Sequence, residues 1–561
     1  MTSISATSLR MPAIHLPASR QINARATGQA GPPQSASISF ARSSTVGVDA
    51  VASVSDANLD ASTTLLSLSL DLKANQKYSF SFYFPSGGPK VTLVDAAGKA
   101  AAVDMSKGFS VKSSGTYTLR FEAGYSLKTT GNFDNLKINA KSVLPTVSGD
   151  KRIDALITGG TGQWWHTYDA VASKGTDAIG KATALADGSS VTALTYSFMS
   201  TQPQGQAMND FQPMSEAQKG AVRKAFDYYS KLINVTFTEV AGDGTGNINF
   251  GTNDQSSSAG YANLPNASAV KDKDFLYLAN NVSTNNDQGV QEGGYGYTTI
   301  LHEIGHTLGL KHPGNYNAGG GGAPGPYLSA KEDDHQHSVM SYNDNNASRG
   351  VNATSAMVYD IAALQYLYGA NKSASTASDG KFTFSDNNTL KTLWSANGTD
   401  TIDLSALTSA SNVNLNGGTY SDINIKGPAA STSYSGNQNV GIAYGAKIDK
   451  VKLSSTNGVA ETVTLNNAYT RDGFNTITSF DAIDDKIGIS KSVFGALKAG
   501  SIEFGTAATS TKTKFIVNRE TGEIFYDADG SGAKSTAKKI AQYVAVQGRG
   551  EVTAANFVAV A

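Results

Sequence analysis

Three of the chain's seven histidines, His302, His306 and His312, lie within the short stretch LHEIGHTLGLKH. A spacing of four residues places His302 and His306 one turn apart on the same helical face, where both imidazoles can bind one metal ion. Glu303 is rotated away by one position, so its carboxylate can hold and deprotonate a water on that metal instead of ligating it. This spacing indicates metal-assisted hydrolysis.

The third histidine can join the other two only if the helix ends before it. Gly309 can take the left-handed conformation that ends a helix and turns the chain back, and Pro313 then keeps the helix from resuming. Three neutral imidazoles plus one open position describe a catalytic zinc site. The alternative is that the histidines are exposed on a helix surface. The extended pattern H-E-x-x-H-x-x-G-x-x-H and the scarcity of histidine favour zinc.

A second motif follows downstream, in KEDDHQHSVMSYN, which contains Met340 and Tyr342. An extended zinc motif followed by a Met-turn is the pattern of the metzincins. Residues 146–375 resemble the serralysins, which are bacterial metzincin peptidases. The matching pieces, in order, are RIDALITG, ALTYSF, VTFTEV, SSAGYANLP, HEIGHTLGLKHPGNYN, AKEDDHQHSVMSYN and YDIAALQYLYGAN.

The resemblance implies roles for both residues of the Met-turn motif. Met340 would form the apolar floor under the zinc ligands, and Tyr342 would be an additional zinc ligand in the resting enzyme. During turnover Tyr342 could swing off the metal and donate a hydrogen bond to the tetrahedral oxyanion. The alternative for Tyr342 is a buried turn tyrosine.

The resemblance also implies a substrate-binding segment within SSAGYANLP. An extended peptide would pair with this edge strand through main-chain hydrogen bonds, which predicts broad specificity. The strand residues concerned are Ala259, Gly260, Tyr261 and Ala262.

His335 and His337 flank the Met-turn, but the family has no metal ligand at these places. Three histidines already complete the protein's share of the zinc site, so we expect both side chains to lie in a solvated loop.

Composition excludes several classes of function and of site. The net charge is −1 and only 16% of residues are charged, so nothing favours nucleic acid or an anionic membrane as a partner. The lack of cysteine excludes disulfides and thiolate metal sites. No apolar run approaches the roughly 18 residues that span a bilayer. The first forty residues lack the apolar segment of a cleaved signal peptide.

The chain divides into four predicted segments. Residues 1–45 read as a flexible leader, and residues 46–145 as a β-sandwich accessory domain that resembles the pre-peptidase C-terminal domain of secreted peptidases. A generic sandwich is the alternative. Residues 146–375 form a mixed α+β catalytic domain, and residues 376–561 an all-β domain, β-roll-like or sandwich-like, with an uncleaved signal for type I secretion.

Two helices are predicted in the catalytic domain. The first begins with a capping box formed by Ser215 and Gln218. Its apolar face comprises Val222, Phe226, Tyr229 and Ile233. The second ends near Gly369. Its apolar face comprises Met357, Ile361, Leu364 and Tyr368.

The C-terminal region resembles the start of the calcium-binding β-roll of serralysins, but it holds no intact nonapeptide array. Because calcium needs six to eight oxygen ligands, fewer ions are expected than is typical of the family. Candidate ligands are Asp400 and Asp403 in NGTDTID, and Asp527 and Asp529 in YDADGSG. The alternative for each is an ordinary turn.

Together these patterns predict a secreted, monomeric zinc endopeptidase of broad specificity that acts on extended polypeptides. The type I secretion apparatus is its expected export partner. The rival prediction is a secreted binding or adhesive protein whose zinc site is structural or idle. An intact Glu303 and Tyr342 oppose that rival, whereas the degenerate repeats support it.

Overall fold

The structure is a computed structural model. Residues 1–141 and 142–561 form two compact units, which are described separately. The second unit is described at residues 148–157, 192–204, 208–265, 273–318, 322–344, 350–426 and 434–560. The first is described at residues 34–37, 41–42, 50–54, 58–59, 65–72, 76–81, 90–104, 107–111, 115–122, 131–132 and 136–142, the last of these ranges ending one residue inside the second unit. Among all these residues, no helix combines the length and apolarity needed to cross a bilayer.

The N-terminal unit consists of β-strands. In β5 every second residue is buried, as in Leu66 and Leu68, and these side chains pack with Leu119 and Phe121 of the antiparallel β10. The orders β1-β5-β10-β7-β8 and β2-β3-β12-β6-β9 define two five-stranded sheets. The strands are β1 (Gln34–Ser37), β2 (Ala41–Arg42), β3 (Ala50–Val54), β4 (Asn58–Leu59), β5 (Leu65–Leu72), β6 (Gln76–Ser81), β7 (Lys90–Val94), β8 (Ala100–Val103), β9 (Phe109–Ser110), β10 (Gly115–Glu122), β11 (Gly131–Asn132) and β12 (Leu136–Ser142).

Most of the predicted leader, residues 1–45, lies outside the described residues, which there include only β1 and β2. The sandwich interpretation of residues 46–145 and the four segment boundaries stay predictions.

The catalytic region contains a five-stranded sheet of order β14-β13-β15-β17-β16. The first four strands in this order run parallel, and the terminal strand β16 is antiparallel to β17. Strands β15 and β17 are buried along their whole length, as expected for a parallel sheet covered on both faces. The strands are β13 (Thr192–Phe198), β14 (Val235–Glu239), β15 (Ile248–Asn253), β16 (Gly260–Ala262) and β17 (Asp274–Ala279).

Four helices accompany this sheet among the residues that the structure describes. The predicted capping box of α2 is confirmed, because Ser215 Oγ accepts from the Gln218 N–H while Gln218 Oε1 accepts from the Ser215 N–H. The predicted end of α4 is confirmed by Gly369, which follows it with a positive φ of 76°. The helices are α1 (Lys151–Asp154), α2 (Glu216–Leu232), α3 (Tyr295–Thr307) and α4 (Val358–Tyr368), with a 3₁₀ turn at Ser283–Asn285.

Helix α4 differs from its sequence prediction in one respect. Every residue from Val358 to Tyr368 is buried, so the helix has no solvent face. The four predicted apolar positions are part of a circumference that is buried on all sides and also includes Asp360 and Gln365, because α4 lies inside the unit between other elements. Periodicity alone therefore understated its burial.

A carboxylate at the start of α4 anchors the turn that contains Met340. Asp360 is fully buried; its Oδ1 accepts from Ser338 Oγ at 2.6 Å and its Oδ2 from the Val339 N–H at 2.7 Å. The Met357 N–H donates to Oδ2 as well, at 2.8 Å. Three donors at one buried carboxylate join the Met-turn to the core helix.

The described C-terminal strands form three sheets, and two of these contain ladders of parallel strands, β18-β20-β24-β26-β31 and β21-β25-β27-β32. The third sheet has the order β19-β23-β22, and the first continues beyond β31 through the antiparallel β30 and β29 to β28. Ile402, Val451 and Ile477 are buried neighbours in the first ladder, and Val463 and Ile487 in the second. The strands are β18 (Lys381–Thr383), β19 (Lys391–Leu393), β20 (Thr401–Asp403), β21 (Ser411–Asn414), β22 (Tyr420–Ser421), β23 (Val440–Ile442), β24 (Lys450–Lys452), β25 (Glu461–Thr464), β26 (Asn475–Phe480), β27 (Lys486–Ser490), β28 (Ile502–Phe504), β29 (Phe515–Asn518), β30 (Glu523–Tyr526), β31 (Lys538–Ala545) and β32 (Phe557–Val560). A short helix α5 (Lys491–Phe494) and 3₁₀ turns at Ala468–Arg471 and Ala554–Asn556 interrupt them.

Asp360→Ala is expected to lower the free energy of unfolding by about 3 kcal/mol, because it leaves buried donors of the Met-turn without an acceptor. Urea unfolding of the full chain measures this loss. The matched control is Asp227→Ala, which removes an exposed carboxylate paired with Lys231 on α2 and should change stability by less than about 0.5 kcal/mol. Equal losses in the two variants would contradict the anchoring role of Asp360.

Candidate active site

Helix α3 carries the first two histidines and is held at its buried side by two tyrosines. Tyr229 of α2 donates a hydrogen bond to the Leu301 carbonyl, and Tyr368 of α4 donates one to the Leu308 carbonyl, each at 2.7 Å. The helix ends at Thr307, and Gly309 follows with a φ of +100°. The predicted glycine turn is therefore confirmed, and it brings the chain back toward the helix.

The three histidine side chains converge after this turn. His312 Nε2 lies 3.1 Å from His302 Nε2 and 3.1 Å from His306 Nε2. Histidine, aspartate and glutamate side chains can all bind metal ions. Among the described residues, these three histidines are the one group of three or more such side chains whose potential ligand atoms lie within 4.8 Å of one another. The structure thus brings together the three residues that the sequence predicts as zinc ligands.

Hydrogen bonds at the opposite ring nitrogens fix where the protons are. His302 Nδ1 lies 2.9 Å from the Val339 carbonyl oxygen, and His306 Nδ1 lies 2.8 Å from that of Leu310. A carbonyl oxygen only accepts, so each Nδ1 carries the proton and each Nε2 presents a lone pair. His312 Nδ1 lies 3.0 Å from the Tyr316 carbonyl oxygen and 2.8 Å from the side-chain amide of Asn317.

Three lone pairs that face one another at this distance repel unless a cation lies between them. This donor set fits Zn²⁺, which neutral imidazole nitrogens bind and whose histidine ligands commonly donate their other N–H to a carbonyl. Burial lowers the pKa of His302 well below its ordinary value, with help from the other two imidazoles. Burial likewise lowers the pKa of His306 to about 3 and lowers that of His312. All three are therefore neutral, as zinc binding requires.

Met340 packs against α3 at Gly305, and its role as an apolar floor under the zinc ligands stays a prediction. It is fully buried, and a Cβ atom added to Gly305 would lie only 2.8 Å from its sulfur. Gly305 stands in α3 between the two ligand histidines, so the absence of a side chain there lets the thioether approach the helix. Sequence analysis missed Gly305, because a helical glycine has no distinctive spacing.

Glu303 is buried beside the metal-binding group. Its Oε2 has no hydrogen-bond partner among the described residues, and burial raises its pKa to about 8. A Cβ on Gly260 would lie 3.1 Å from Glu303 Cγ and 3.0 Å from Thr299 Cγ2. The end strand β16 therefore lies directly against the face of α3 that carries the carboxylate.

A cavity of about 340 Å³ opens along this face of α3. Glu303, Ala259, Gly260 and Tyr342 line it, whereas Tyr261 and Ala262 are not among its lining residues. Tyr261 instead packs on Tyr277. The helix side also includes Tyr295, Thr298 and Thr299, which sequence analysis missed. Thr299, Thr298 and Tyr295 lie three, four and seven positions before His302. This helical spacing could have identified them from the sequence.

Tyr342 lies at the mouth of the site. Its ring centroid is 4.5 Å from that of His312 and 5.9 Å from that of His302. The side chain is 47% exposed, which excludes a buried turn tyrosine. Partial burial and the nearby Glu303 raise its pKa to about 12. The phenol therefore stays protonated and able to donate a hydrogen bond near neutral pH.

The expectation that His335 and His337 are solvated loop residues is wrong. His335 lines the cavity, with Nδ1 3.5 Å from Asp344 Oδ1. His337 is 13% exposed, and its Nδ1 lies 2.8 Å from Asp334 Oδ1. Its ring packs against two tyrosine rings from α4 and β22. The loop folds over the catalytic region because Asp360 anchors its end. Neither histidine joins the metal-binding group.

The four aspartates predicted as calcium ligands lie in two separate places: Asp400 and Asp403 at the two ends of β20, and Asp527 and Asp529 just after β30. Asp400 Oδ2 is buried without a hydrogen-bond partner among the described residues. Asp403 accepts hydrogen bonds from the Ser405 N–H and hydroxyl. Asp527 Oδ1 accepts from the Asp529 N–H at 3.2 Å. No third acidic group joins either pair within ligand distance in the described part of the chain. Calcium binding stays a prediction.

Protein cations neutralise other carboxylates of this region. Arg471 donates to both oxygens of Asp449, at 2.7 and 3.0 Å. Arg549 donates to Asp481 at 2.6 Å and to Asp484 at 2.9 Å. These guanidinium groups compensate charge at turns of the strand ladders without a bound ion.

Comparison with known proteins supports a metallopeptidase site. Residues 189–318 match the family model described as Matrixin. The chain is 36% identical over 265 residues to metallopeptidase AprA of Pseudomonas marginalis, an alignment that covers 42% of this chain and 55% of that protein. It is 33% identical over 296 residues to a serralysin of Photorhabdus sp. strain Az29, which covers 49% of this chain and 59% of that protein.

A third relative is serralysin C of Dickeya chrysanthemi, which is 32% identical over 325 residues, with 52% of this chain and 61% of that protein covered. The chain thus spans between half and two thirds of the length of these curated relatives. These similarities confirm the resemblance to serralysin-type metzincin metallopeptidases that the motifs indicated. The metzincin part of the predicted fold is supported, whereas the architecture of the flanking domains is not tested by these matches.

His306→Gln is expected to reduce zinc affinity by more than roughly 100-fold. Loss of a group that only hydrogen-bonds a metal ligand costs roughly 10- to 100-fold in metal affinity, and this substitution removes a ligand itself. Zinc titration against a competing chelator measures the change. His335→Gln is the matched control, since this histidine lines the same cavity outside the ligand group. Equal affinities of both variants would contradict the assigned zinc ligands.

Proposed function

We propose that this protein is a secreted zinc-dependent endopeptidase that hydrolyses extended polypeptides with broad specificity. One observation carries the proposal: three imidazoles converge their Nε2 atoms beside a buried carboxylate, and one oxygen of this carboxylate has no hydrogen-bond partner among the described residues. An idle or structural metal site needs the ligands but has no need of that carboxylate. The serralysin-type relatives support the same reaction class.

His302, His306 and His312 would hold the zinc ion. When bound, zinc polarises the scissile carbonyl and lowers the pKa of water at its open position. The protein contributes the fixed tautomers, the neutral charge state of the imidazoles and the thioether of Met340 beneath them. These features hold the ligands in one geometry before the metal arrives.

Glu303 would act as the general base. Its carboxylate lines the cavity and is not a member of the ligand group. Burial raises its pKa above that of a solvated carboxylate, which makes it a stronger base for proton transfer. It takes a proton from the attacking water and then delivers that proton to the nitrogen of the leaving amine. The same group therefore serves both halves of the reaction.

Tyr342 would stabilise the oxyanion. Its phenol is protonated, half exposed and free of a buried packing role, and its ring stands beside His312 at the mouth of the cavity. A hydroxyl placed there can donate a hydrogen bond to the oxygen on which negative charge develops. Binding of zinc by this phenol in the resting protein stays a prediction.

The substrate would bind along β16. This strand is the last in its sheet, and on its paired side it is antiparallel to β17. Ala259 and Gly260 line the cavity next to Glu303, so an extended peptide that pairs with this strand would place its main chain beside the base. Because the peptide would be recognised through its backbone groups, few of its side chains would be selected, which accounts for broad specificity.

Export through the type I apparatus, a monomeric state and a small number of calcium ions complete the proposal. The named relatives include serralysins, and the region after residue 375 resembles the C-terminal region of that family. The role of the N-terminal sheets is not assigned.

Glu303→Gln should reduce casein hydrolysis by roughly 10²- to 10⁴-fold while zinc stays bound, because the variant loses the base but keeps every ligand. Initial rates are measured with and without a zinc chelator, and the wild-type rate should return when zinc is added back. Glu292→Gln, which alters an exposed carboxylate paired with Lys224 just before α3, is the matched control and should keep the wild-type rate.

Two outcomes would count against the proposal. A zinc-loaded wild-type chain that cleaves no casein would favour the binding or adhesive protein with an idle metal site. Loss of zinc from Glu303→Gln would show that Glu303 acts in metal binding and not as a base.

A further inference from the structure

The tyrosine of the motif HPGNYN, Tyr316, has no role in the mechanism above, yet it contacts two of its parts. Its backbone carbonyl accepts the Nδ1–H of His312 at 3.0 Å. Its ring stacks on that of Tyr342, with centroids 4.8 Å apart and planes inclined by 24°. One residue thus lies against both a metal ligand and the proposed oxyanion donor.

The Tyr316 hydroxyl is the centre of a small hydrogen-bond network. It donates to Asp333 Oδ1 at 2.6 Å, and Ser341 Oγ donates to the same carboxylate oxygen at 2.7 Å. The Tyr342 N–H in turn donates to the Tyr316 hydroxyl oxygen at 3.3 Å. Asp333 therefore orients the phenol, and the phenol holds the backbone of Tyr342.

Packing leaves this tyrosine little freedom. A Cβ atom on Gly314 would lie 2.1 Å from the Tyr316 ring and 2.6 Å from Asp333 Oδ2. The glycine of the HPG motif is thus required for the ring and the carboxylate to occupy their places. The ring of Tyr316 can neither move toward Gly314 nor leave Tyr342 without breaking the hydrogen bond to Asp333.

We propose that Tyr316 is a positioning residue that, together with Asp333, fixes Tyr342 in the orientation needed to stabilise the oxyanion. The inference rests on the proposed function, since it assigns how one of the mechanism's groups is held. A hydroxyl that must meet a developing charge contributes most when its conformers are restricted before the reaction. Tyr316 supplies that restriction through the ring stack and through the amide hydrogen bond.

The substitution Tyr316→Phe separates the two contacts of this residue. The ring and the backbone carbonyl remain, so His312 keeps its acceptor, whereas the hydroxyl that binds Asp333 and the Tyr342 amide is lost. We expect kcat on a casein-derived peptide to fall about fivefold, the equivalent of one ordinary hydrogen bond. KM and zinc affinity should be unchanged. In a protein that already carries Tyr342→Phe, adding Tyr316→Phe should cause no further loss of kcat.

A second readout does not depend on activity. The Tyr342 amide should exchange its hydrogen faster in Tyr316→Phe than in wild type, measured by mass spectrometry on the zinc-free chain. Tyr327→Phe is the matched control, because its hydroxyl donates to the Ala323 carbonyl at 2.7 Å in the same loop region, away from Tyr342. That variant should show neither the faster exchange nor the lower kcat.

The outcomes distinguish the positioning role from the proposed function itself. An active wild type whose Tyr316→Phe variant keeps full kcat, or loses the same factor with and without Tyr342, overturns the positioning role alone. A parallel loss of zinc affinity also overturns it, because Tyr316 would then act through His312. A zinc-loaded wild type that hydrolyses nothing overturns the proposed function and the positioning role with it.

Discussion

The ability of the three histidines to bind one metal ion depends on which ring nitrogen of each imidazole carries the proton. Each ligand histidine meets a backbone carbonyl at Nδ1, and these carbonyls belong to Val339, Leu310 and Tyr316. They stand in three different turns, so the tautomers are correct only when all three turns are in place. A helix with two histidines would not suffice, because the free rings would rotate and exchange tautomers.

A different interaction or backbone conformation fixes each of these turns. Asp360 binds the turn of Val339 from the buried start of α4. Gly309, with its positive φ, returns the chain at Leu310. The hydroxyl of Tyr316 is bound by Asp333. Two carboxylates, of which that of Asp360 is buried, and one backbone conformation therefore place the carbonyl groups. The site is thus held in place by Asp360, Gly309 and Asp333, none of which lines the cavity.

Close approach is the second recurring constraint. Gly305 admits the sulfur of Met340, Gly260 admits the side chain of Glu303, and Gly314 admits the ring of Tyr316. In each case a methyl group would meet its neighbour at about or below the closest distance that real Cβ atoms show. Packing at the site is thus dense enough for backbone to touch functional side chains directly.

The sequence by itself determined the three converging histidines, the glycine that ends α3 and the capping box of α2, because these depend on spacing along one element or on one backbone conformation. Only the tertiary structure decided that α4 is enclosed on all sides, that His335 faces the cavity and His337 packs among tyrosines, and that Gly305 and Gly314 are sites of contact. These properties depend on which segments meet across long sequence separations, as between Asp360 and Val339 or Tyr316 and Asp333. The local pattern of residues does not predict such tertiary contacts. A polar or small residue in a turn fits an exposed position equally well, and only the packing of a distant segment against it decides whether it is buried.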